Sequence, residues 1–512
     1  MDKIIAKENF KKIRQQIRDE KKIVVLCHGV FDLLHYGHIE HLQEAKSQGD
    51  ILVVSVTASK YVNKGPGRPY FNDQQRMQFL SSIEFVDYVI LSEAVTVHEV
   101  VENVQPDVYV KGSEYAIAQN DVTGNISSEQ EIVEKYGGHI YFTNGEVYSS
   151  TKLLNKFFDA LPENVVKESQ DMCKKYGNNL FNEMRDNIEK FHDLNVLVVG
   201  DIIIDEYIFC KVQGFTMKDS IMSVLYNDFE RYAGGALAVA KHLANFAGKV
   251  TILSQMGMES DILDYIIKNM QSVECRIVQS KNFITPVKRR YLKCNNLRQE
   301  YDKLFSINHL LAPEDIKQIN YGNFYRNLEE MLPEYDVIVI CDYGHGLLQK
   351  EAIKMIENES KFLAINCQTN SSNYGMNIIT KYDRADVFVV DQRELHLAFG
   401  QSLEDDSVLL KKLKDMLHSK YAWLTLGADG ALGVNANIES KLSAVTLNVK
   451  DTVGAGDAFY SLVLMAAAMN MPVDQATLIG NIAGAIKTNL LGNSRPIAKV
   501  DLLKFLNTVL NV

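Results

Sequence analysis

The stretch HGVFDLLHYGHIEHL, residues 28–42, sets His35 and His38 three positions apart, directly after the apolar run IVVLC. A strand, a tight loop and a helix opening near Tyr36 or Gly37 would bring both imidazoles to one side of the first helical turn. Free backbone N–H groups and the helix dipole already favour an anion there. Two imidazoles added at that point can hold nucleotide phosphates and stabilise charge developing on a departing pyrophosphate. The bland alternative is a surface histidine pair capping a helix.

A second candidate is KDTVGAGDAFYSLVLMAAAMN, residues 450–470. Gly454, Ala455 and Gly456 let backbone N–H groups approach an anion closely, and the apolar helix behind them aims its positive end at the same point. Asp457 stands where a carboxylate can take a proton from a substrate hydroxyl as a phosphoryl group arrives. Its alternative is an ordinary helix cap, a reading that the full D-T-V-G-A-G-D string weakens.

Both motifs need sheets to present them. The runs IVVLC (23–27), ILVVSVT (51–57) and VDYVIL (86–91) are short and apolar without alternation, and helical patterns such as 74–83 divide them. That pattern predicts an α/β unit with a parallel sheet covered on both faces, closing near residue 162. Residues 163–193 are polar and helix-compatible, with a breaker pair at Gly177 and Asn178, and are expected to form a helical linker. A second α/β series starts at NVLVVGD and runs through VTILSQMG, DVIVICDYG, FLAIN, DVFVVD and AWLTLG. Residues 194–512 therefore suit one large doubly wound domain.

The 512 residues exceed what a single core usually organises, which agrees with two domains. Net charge is −11, which argues against a nucleic-acid partner while leaving room for local basic phosphate pockets. The seven cysteines are scattered, odd in number and without a C-x-x-C pair, so they read as reduced thiols. No apolar signal core and no long apolar run is present, so no membrane association and a cytoplasmic location are expected.

Downstream of the histidines come KGPGRPYFNDQQRMQFL (64–80), VKGSEY (110–115) and YSSTKLL (148–154). With HGVFD and HYGH, and in this order, they resemble the cytidylyltransferase-like nucleotidyltransferases over residues 20–160. The resemblance implies a Rossmann-like fold in which Gly29, Phe31, His35, His38, Lys64, Lys111, Ser150 and Thr151 surround a nucleoside triphosphate. His35, His38 and Lys111 would be the catalytic groups. A sugar phosphate would attack the α-phosphorus in line, usually with Mg²⁺, so no protein nucleophile is required. ATP is the expected nucleotide, and CTP remains open.

The string around Asp457 resembles the ribokinase-like (PfkB) carbohydrate kinases, and other pieces follow in that family's order over 195–510. By that resemblance Asp201, Asp205, Gly234, Gly235, Lys288, Arg290 and Asp457 serve the sugar. Thr425, Gly427, Gly430, Gly454, Ala455, Gly456 and Asn481, with Ala483 beside it, serve ATP. Glu394 is expected to hold Mg²⁺ indirectly, through its water. A small β lid is expected over 214–235, and with it a homodimer. Four positions depart from the pattern: Ala238 where the family often has Asn, His345 for the heptose kinases' Lys, Asn366 where they begin Asp-Pro-Lys, and Asp391 for Asn.

Together the two resemblances imply activation of one sugar in two steps, as in the enzymes of ADP-heptose synthesis but with the domain order reversed. One alternative is a monofunctional nucleotidyltransferase whose kinase-like half binds a sugar and regulates. Another is a scaffold with residual motifs.

Overall fold

In strand β1 (Val24–Gly29), successive side chains serve two different cores. Val24 and Leu26 pack with Phe10, Val97 and Val101, whereas Val25 and Cys27 pack with Leu42, Leu52 and Leu80. A strand covered on both faces must be apolar at every position, which is why these runs lack alternation. The computed structural model describes residues 3–511 except 63–68, 95, 113–125, 144–160, 178, 296–299, 371, 401 and 446–448. Two compact units divide the chain, Met1–Val166 with Leu503–Val512, and Lys167–Leu502.

The first unit adds β2 (Ile51–Thr57), β3 (Tyr88–Ser92), β4 (Val108–Lys111) and β5 (His139–Phe142). All pairings are parallel and the strand order is β3-β2-β1-β4-β5. The order reverses between β1 and β4, and in such sheets ligands bind beyond the carboxyl ends of the strands at that reversal. The helix after β1 spans Tyr36–Lys46, with the start expected from sequence. The helix expected over 74–83 is Asp73–Ser81, because Asn72 and Gln75 close a reciprocal capping box at its start.

Residues 163–193 form the helices Glu163–Tyr176 and Leu180–Glu189, broken at Gly177 with φ +88°. From residue 167 onward they group with the second unit. There Glu168 accepts from Ser443, and Lys175 and Tyr176 both bond the buried Asp474.

The second unit carries β6 (Asn195–Gly200), β7 (Ile202–Phe215), β8 (Met222–Gly235), β9 (Lys249–Met256), β10 (Glu274–Gln279), β11 (Val287–Asn295), β12 (Glu300–His309), β13 (Val337–Asp342), β14 (Leu363–Cys367), β15 (Val387–Asp391), β16 (Tyr421–Thr425), β17 (Ala431–Val434) and β18 (Glu439–Leu442). Its main sheet runs β10-β9-β6-β13-β14-β15-β16-β17-β18. The first seven are mutually parallel and the last two antiparallel. The order reverses between β6 and β13. The helix Ala455–Ala468 is buried from Asp457 to Ala467 on all sides, and the hydroxyl of Tyr460 bonds the Ile340 carbonyl in β13 at 3.0 Å. A helix enclosed all round has no polar face to spare, as its sequence shows.

A separate sheet, β12-β11-β7-β8, forms the expected lid and extends it beyond 214–235 to all four strands. Both domain folds are α/β as expected. No helix among the described residues is long and apolar enough to cross a membrane.

Candidate functional site

In the first unit, β1 ends at Gly29 and the chain turns through Phe31, a non-glycine residue at φ +49°. A Cβ on Gly29 would meet the Phe31 ring at 3.1 Å, so the glycine lets that ring cross the strand end. Such backbone strain persists only where the surroundings enforce it. Here Arg76 does so: fully buried, it donates to the carbonyls of Val30, Thr57 and Phe71 and to Asp73 and Ser59. Asp32 is buried one residue after Phe31 and accepts from the Phe71 N–H at 3.1 Å. Nothing in the residue order marks Arg76 for this role, since a lone arginine in a helix ordinarily reads as surface charge.

His35 is the N-cap residue of Tyr36–Lys46 in extended conformation, and its carbonyl accepts from the His38 N–H at 2.9 Å. The two imidazole centroids lie 4.0 Å apart, and the Phe31 ring lies 5.6 Å from His38. The pair is therefore pre-formed on one side of a helix start, at the sheet's reversal. Lys111 ends β4, whose Val110 pairs with Cys27 of β1. Its ammonium meets Glu129 at 2.6 Å. His28, beside it, bonds Ser55 at 3.1 Å, and burial followed by the charge of Lys111 pushes its imidazole down to about 3. Lys64, Ser150 and Thr151 lie outside the described residues.

In the second unit, a cavity of about 710 Å³ opens at the carboxyl ends of β14, β15 and β16. Thr425, Gly427, Gly454, Gly456, Asp457 and Glu394 share its wall, together with Asn366 and Asp391. A Cβ at Gly456 would meet nothing within 4 Å, so a ligand can approach that backbone directly. Gly430 and Asn481 are placed differently. A Cβ on Gly430 would collide with the Leu442 carbonyl, and the Asn481 amide donates to the carbonyls of Leu442 and Ser443 at 3.1 and 3.0 Å. Both hold the end of β18 rather than line the cavity.

Asp457 Oδ1 accepts from the Tyr343 hydroxyl at 2.9 Å and from the Gln368 amide at 3.1 Å. Burial raises its pKa, and those two bonds oppose the rise. A carboxylate so held is poised to accept a proton once a hydroxyl is presented to it.

Asp201 follows β6 and Tyr343 follows β13, so the sheet's reversal brings them together. Asp201 Oδ2 accepts the N–H groups of Tyr343 and His345 at 2.9 and 3.2 Å, while Oδ1, also buried, has no protein partner. Burial, with Asp342 nearby, raises Asp201 to about 6. Asp205 bonds Arg290, and Lys288 is its register partner on β11. Burial lowers Lys288, with Asp205 the first group opposing. Gly234 and Gly235 end β8 against these acids: a Cβ on Gly234 would strike Asp205, and one on Gly235 would lie 2.6 Å from the Asp201 carbonyl. His345 is buried with Nε2 lacking a partner, and burial and then Lys288 push it down to about 3. It is therefore a neutral imidazole, and the substitution noted in the sequence removes a charge. Ala238 is buried in the helix Ala236–Leu243 and presents no polar atom.

The fit to Mg²⁺ rests on the cavity wall. Glu394 Oε1 accepts from the Thr369 N–H at 3.0 Å and Oε2 from the Asp391 N–H at 2.9 Å, while Asp391 caps the same helix. Burial raises Glu394 to about 8. Asn366 contributes a buried Oδ1 with no protein partner. Among the described residues no trio of His, Cys, Asp or Glu is grouped for a metal. One carboxylate and one amide oxygen suit an ion that keeps most of its waters and takes further ligands from phosphates.

Residues 26–156 match the family described as cytidylyltransferase-like, and residues 193–499 match the pfkB family carbohydrate kinases. Among curated proteins, "Bifunctional protein HldE" of Syntrophotalea carbinolica is 32% identical over 160 residues, 31% of either chain. The protein of that name from Campylobacter fetus is 25% identical over 309 residues, 59% of this chain and 64% of its own. The chain thus spans about a third of the length of the first of these relatives. Among solved structures, phosphofructokinase-2 of Escherichia coli is 15% identical, with 62% of this chain and 99% of that one aligned at a TM-score of 0.48. Ribokinase of Thermotoga maritima is 19% identical, with 61% and 99% aligned at 0.45.

Proposed function

The chain belongs to the pfkB family of carbohydrate kinases and carries a cytidylyltransferase-like region ahead of it, and we propose that it is a bifunctional sugar-activating transferase. The second unit phosphorylates a sugar or sugar phosphate with ATP. The first transfers a nucleotidyl group, AMP in preference to CMP, to a sugar phosphate and releases pyrophosphate. The product is a nucleotide-sugar of the ADP-heptose type, made in the cytoplasm for glycan synthesis. The domain order is the reverse of that in the ADP-heptose enzymes.

One observation carries the proposal: beyond the carboxyl ends of its parallel strands each unit sets a helix start, Tyr36–Lys46 after β1 in the first and Ala455–Ala468 in the wall of the cavity beyond β14, β15 and β16 in the second, and a helix start favours phosphate. In the kinase reaction Asp457 takes the proton of a sugar hydroxyl, and that oxygen attacks the γ-phosphorus as ADP leaves. Asp201 and Asp205 hold other hydroxyls, Lys288 and Arg290 balance their charge, and the N–H groups from Gly454 to Gly456 cradle the moving phosphoryl group. Thr425, Gly427 and the neighbouring wall receive the nucleotide. Glu394 and Asn366 would hold Mg²⁺ indirectly, and the ion would supply charge neutralisation at the phosphates. In the nucleotidyl reaction a sugar-phosphate oxygen attacks the α-phosphorus, and His35, His38 and Lys111 stabilise the charge that passes to pyrophosphate.

The lid exposes Phe215, Leu225, Tyr226, Phe229, Phe305 and Ile307. A second copy of the chain is the expected cover for this patch, giving a homodimer. The substitutions at His345 and Asn366 favour a second reading, a sugar-binding kinase-like unit that regulates nucleotidyl transfer.

The test is to incubate the protein with Mg²⁺, ATP or CTP and a panel of sugars and sugar phosphates, and to identify products by mass spectrometry. A phosphorylated sugar together with a nucleotide-sugar supports the proposal. Nucleotide-sugar without any ADP-forming activity would establish the regulatory reading instead.

A further inference from the structure

Val453 and Gly492 are each held at both ends of the residue, at N–H and at carbonyl. Their N–H groups donate to the two oxygens of Asp451, Val453 to Oδ1 at 3.2 Å and Gly492 to Oδ2 at 3.0 Å. Their carbonyls both accept from Nζ of Lys487, each at 2.7 Å. One carboxylate and one ammonium thus tie the chain entering helix Ala455–Ala468 to the turn that follows helix Val473–Thr488. Tyr207 and Lys303 complete the set around Asp451, at 2.9 and 3.0 Å.

Lys487 is fully buried. Lysine is almost never enclosed to that degree unless it is paired, so the position calls for a reason. Burial lowers its pKa, the carboxylates of Asp451, Asp457 and Asp205 oppose that, and Lys303 adds to the lowering.

The reason lies in the next peptide. The Val453 carbonyl and the Gly454 N–H belong to one planar unit and point in opposite directions. Pinning the carbonyl on Lys487 therefore fixes where the Gly454 N–H points, away from the ammonium. Gly454 stands at φ +80° as the N-cap residue of the helix and lines the cavity with Gly456 and Asp457. A Cβ there would come within 3.1 Å of Lys487 Cε, so the glycine and the lysine are fitted to each other.

We infer that Lys487 is a positioning residue for phosphoryl transfer, an internal cation that orients the Val453–Gly454 peptide so that the anion cradle is set before the phosphoryl group arrives. The inference rests on the kinase reading above. It differs from the roles of Asp457 and the glycines in that Lys487 touches neither sugar nor nucleotide. Nothing in the residue order announces it, since a lysine near a helix end ordinarily reads as a solvated charge.

Two variants test it in the full chain. Lys487→Met keeps the apolar stem and removes the ammonium, and Lys487→Ala leaves space where a small amine can sit. Both are expected to lower kinase kcat about tenfold or more while the sugar KM shifts by less than about threefold, because the loss is one of orientation at the reacting group. Nucleotidyl transfer stays at the wild-type rate. In Lys487→Ala, ethylammonium restores turnover and tetramethylammonium, which has no N–H to give the carbonyls, does not. Hydrogen exchange of the 452–457 amides, followed by mass spectrometry, quickens in both variants and slows again with ethylammonium in Lys487→Ala alone.

Wild-type kcat and unchanged exchange in either folded variant would overturn the inference. So would a folded Lys487→Ala that ethylammonium leaves inactive, or that tetramethylammonium restores equally. If Lys487→Ala does not fold, Lys487→Met decides by turnover and exchange. If the wild type phosphorylates none of the sugars, the kinase reading has failed, and the exchange measurement still decides whether Lys487 orders the cradle.

Discussion

Tyr343 donates its hydroxyl hydrogen bond to Oδ1 of Asp457 across 2.9 Å, although 114 positions separate the two residues. The bond favours the ionised carboxylate, which burial alone disfavours. Tyr343→Phe removes that support, so the Asp457 pKa rises further. A general base works only when ionised, and the acid limb of the kinase kcat profile is therefore expected to move to higher pH. A pH–rate profile of the two proteins checks this, and a limb that stays in place or moves to lower pH refutes it. Asp457→Asn is expected to cost about 10²–10⁴-fold in kinase kcat.

The imidazoles of His35 and His38 serve the other unit. His38→Ala is expected to reduce nucleotidyl transfer by about 10²–10³-fold, the scale of losing one preorganised donor to developing charge. Kinase turnover should not change. Pyrophosphate release and ADP formation, measured on the same preparation, separate the two activities. If His38→Ala silenced both in a folded protein, the sites would not be independent.

Glu394 receives two backbone N–H groups and stands in the cavity wall with Asn366. Glu394→Gln keeps the shape of the side chain and one of its two acceptors, and removes the carboxylate charge that a nearby Mg²⁺ would stabilise against burial. The kinase is expected to need about 10–100-fold more Mg²⁺ for half-maximal rate. A magnesium titration at fixed ATP reads this directly, and an unchanged midpoint would remove Glu394 from the metal's surroundings.

Gly235 stands at φ +56°, and an added Cβ would lie 2.6 Å from the Asp201 carbonyl. Gly235→Ala is therefore expected to destabilise the second unit by about 1–3 kcal/mol. The chain's one tryptophan, Trp423, is buried in β16 of that unit, so its fluorescence during urea unfolding reports on the correct region. Nucleotidyl transfer in the absence of urea should persist. An unfolding midpoint equal to the wild type would show that the backbone accommodates the methyl group.

The sequence by itself determined the parts that are local. Continuous apolar runs such as ILVVSVT point to strands buried on both faces, and a Gly-Ala-Gly entry to an apolar helix points to a helix start open to an anion, because both readings follow from neighbouring residues. His35 and His38 were legible for the same reason, lying one helical turn apart. The tertiary structure alone decided the rest. Tyr343 and Gln368 reach Asp457 only because the sheet sets the ends of β13 and β14 beside the start of Ala455–Ala468. Arg76 and Lys487 became structural cations only on burial, where each found carbonyls to hold. His345 shows the division within one residue: its identity was in the sequence, but its neutral state was set by enclosure beside Lys288, because a proton's affinity depends on the field and solvent around it.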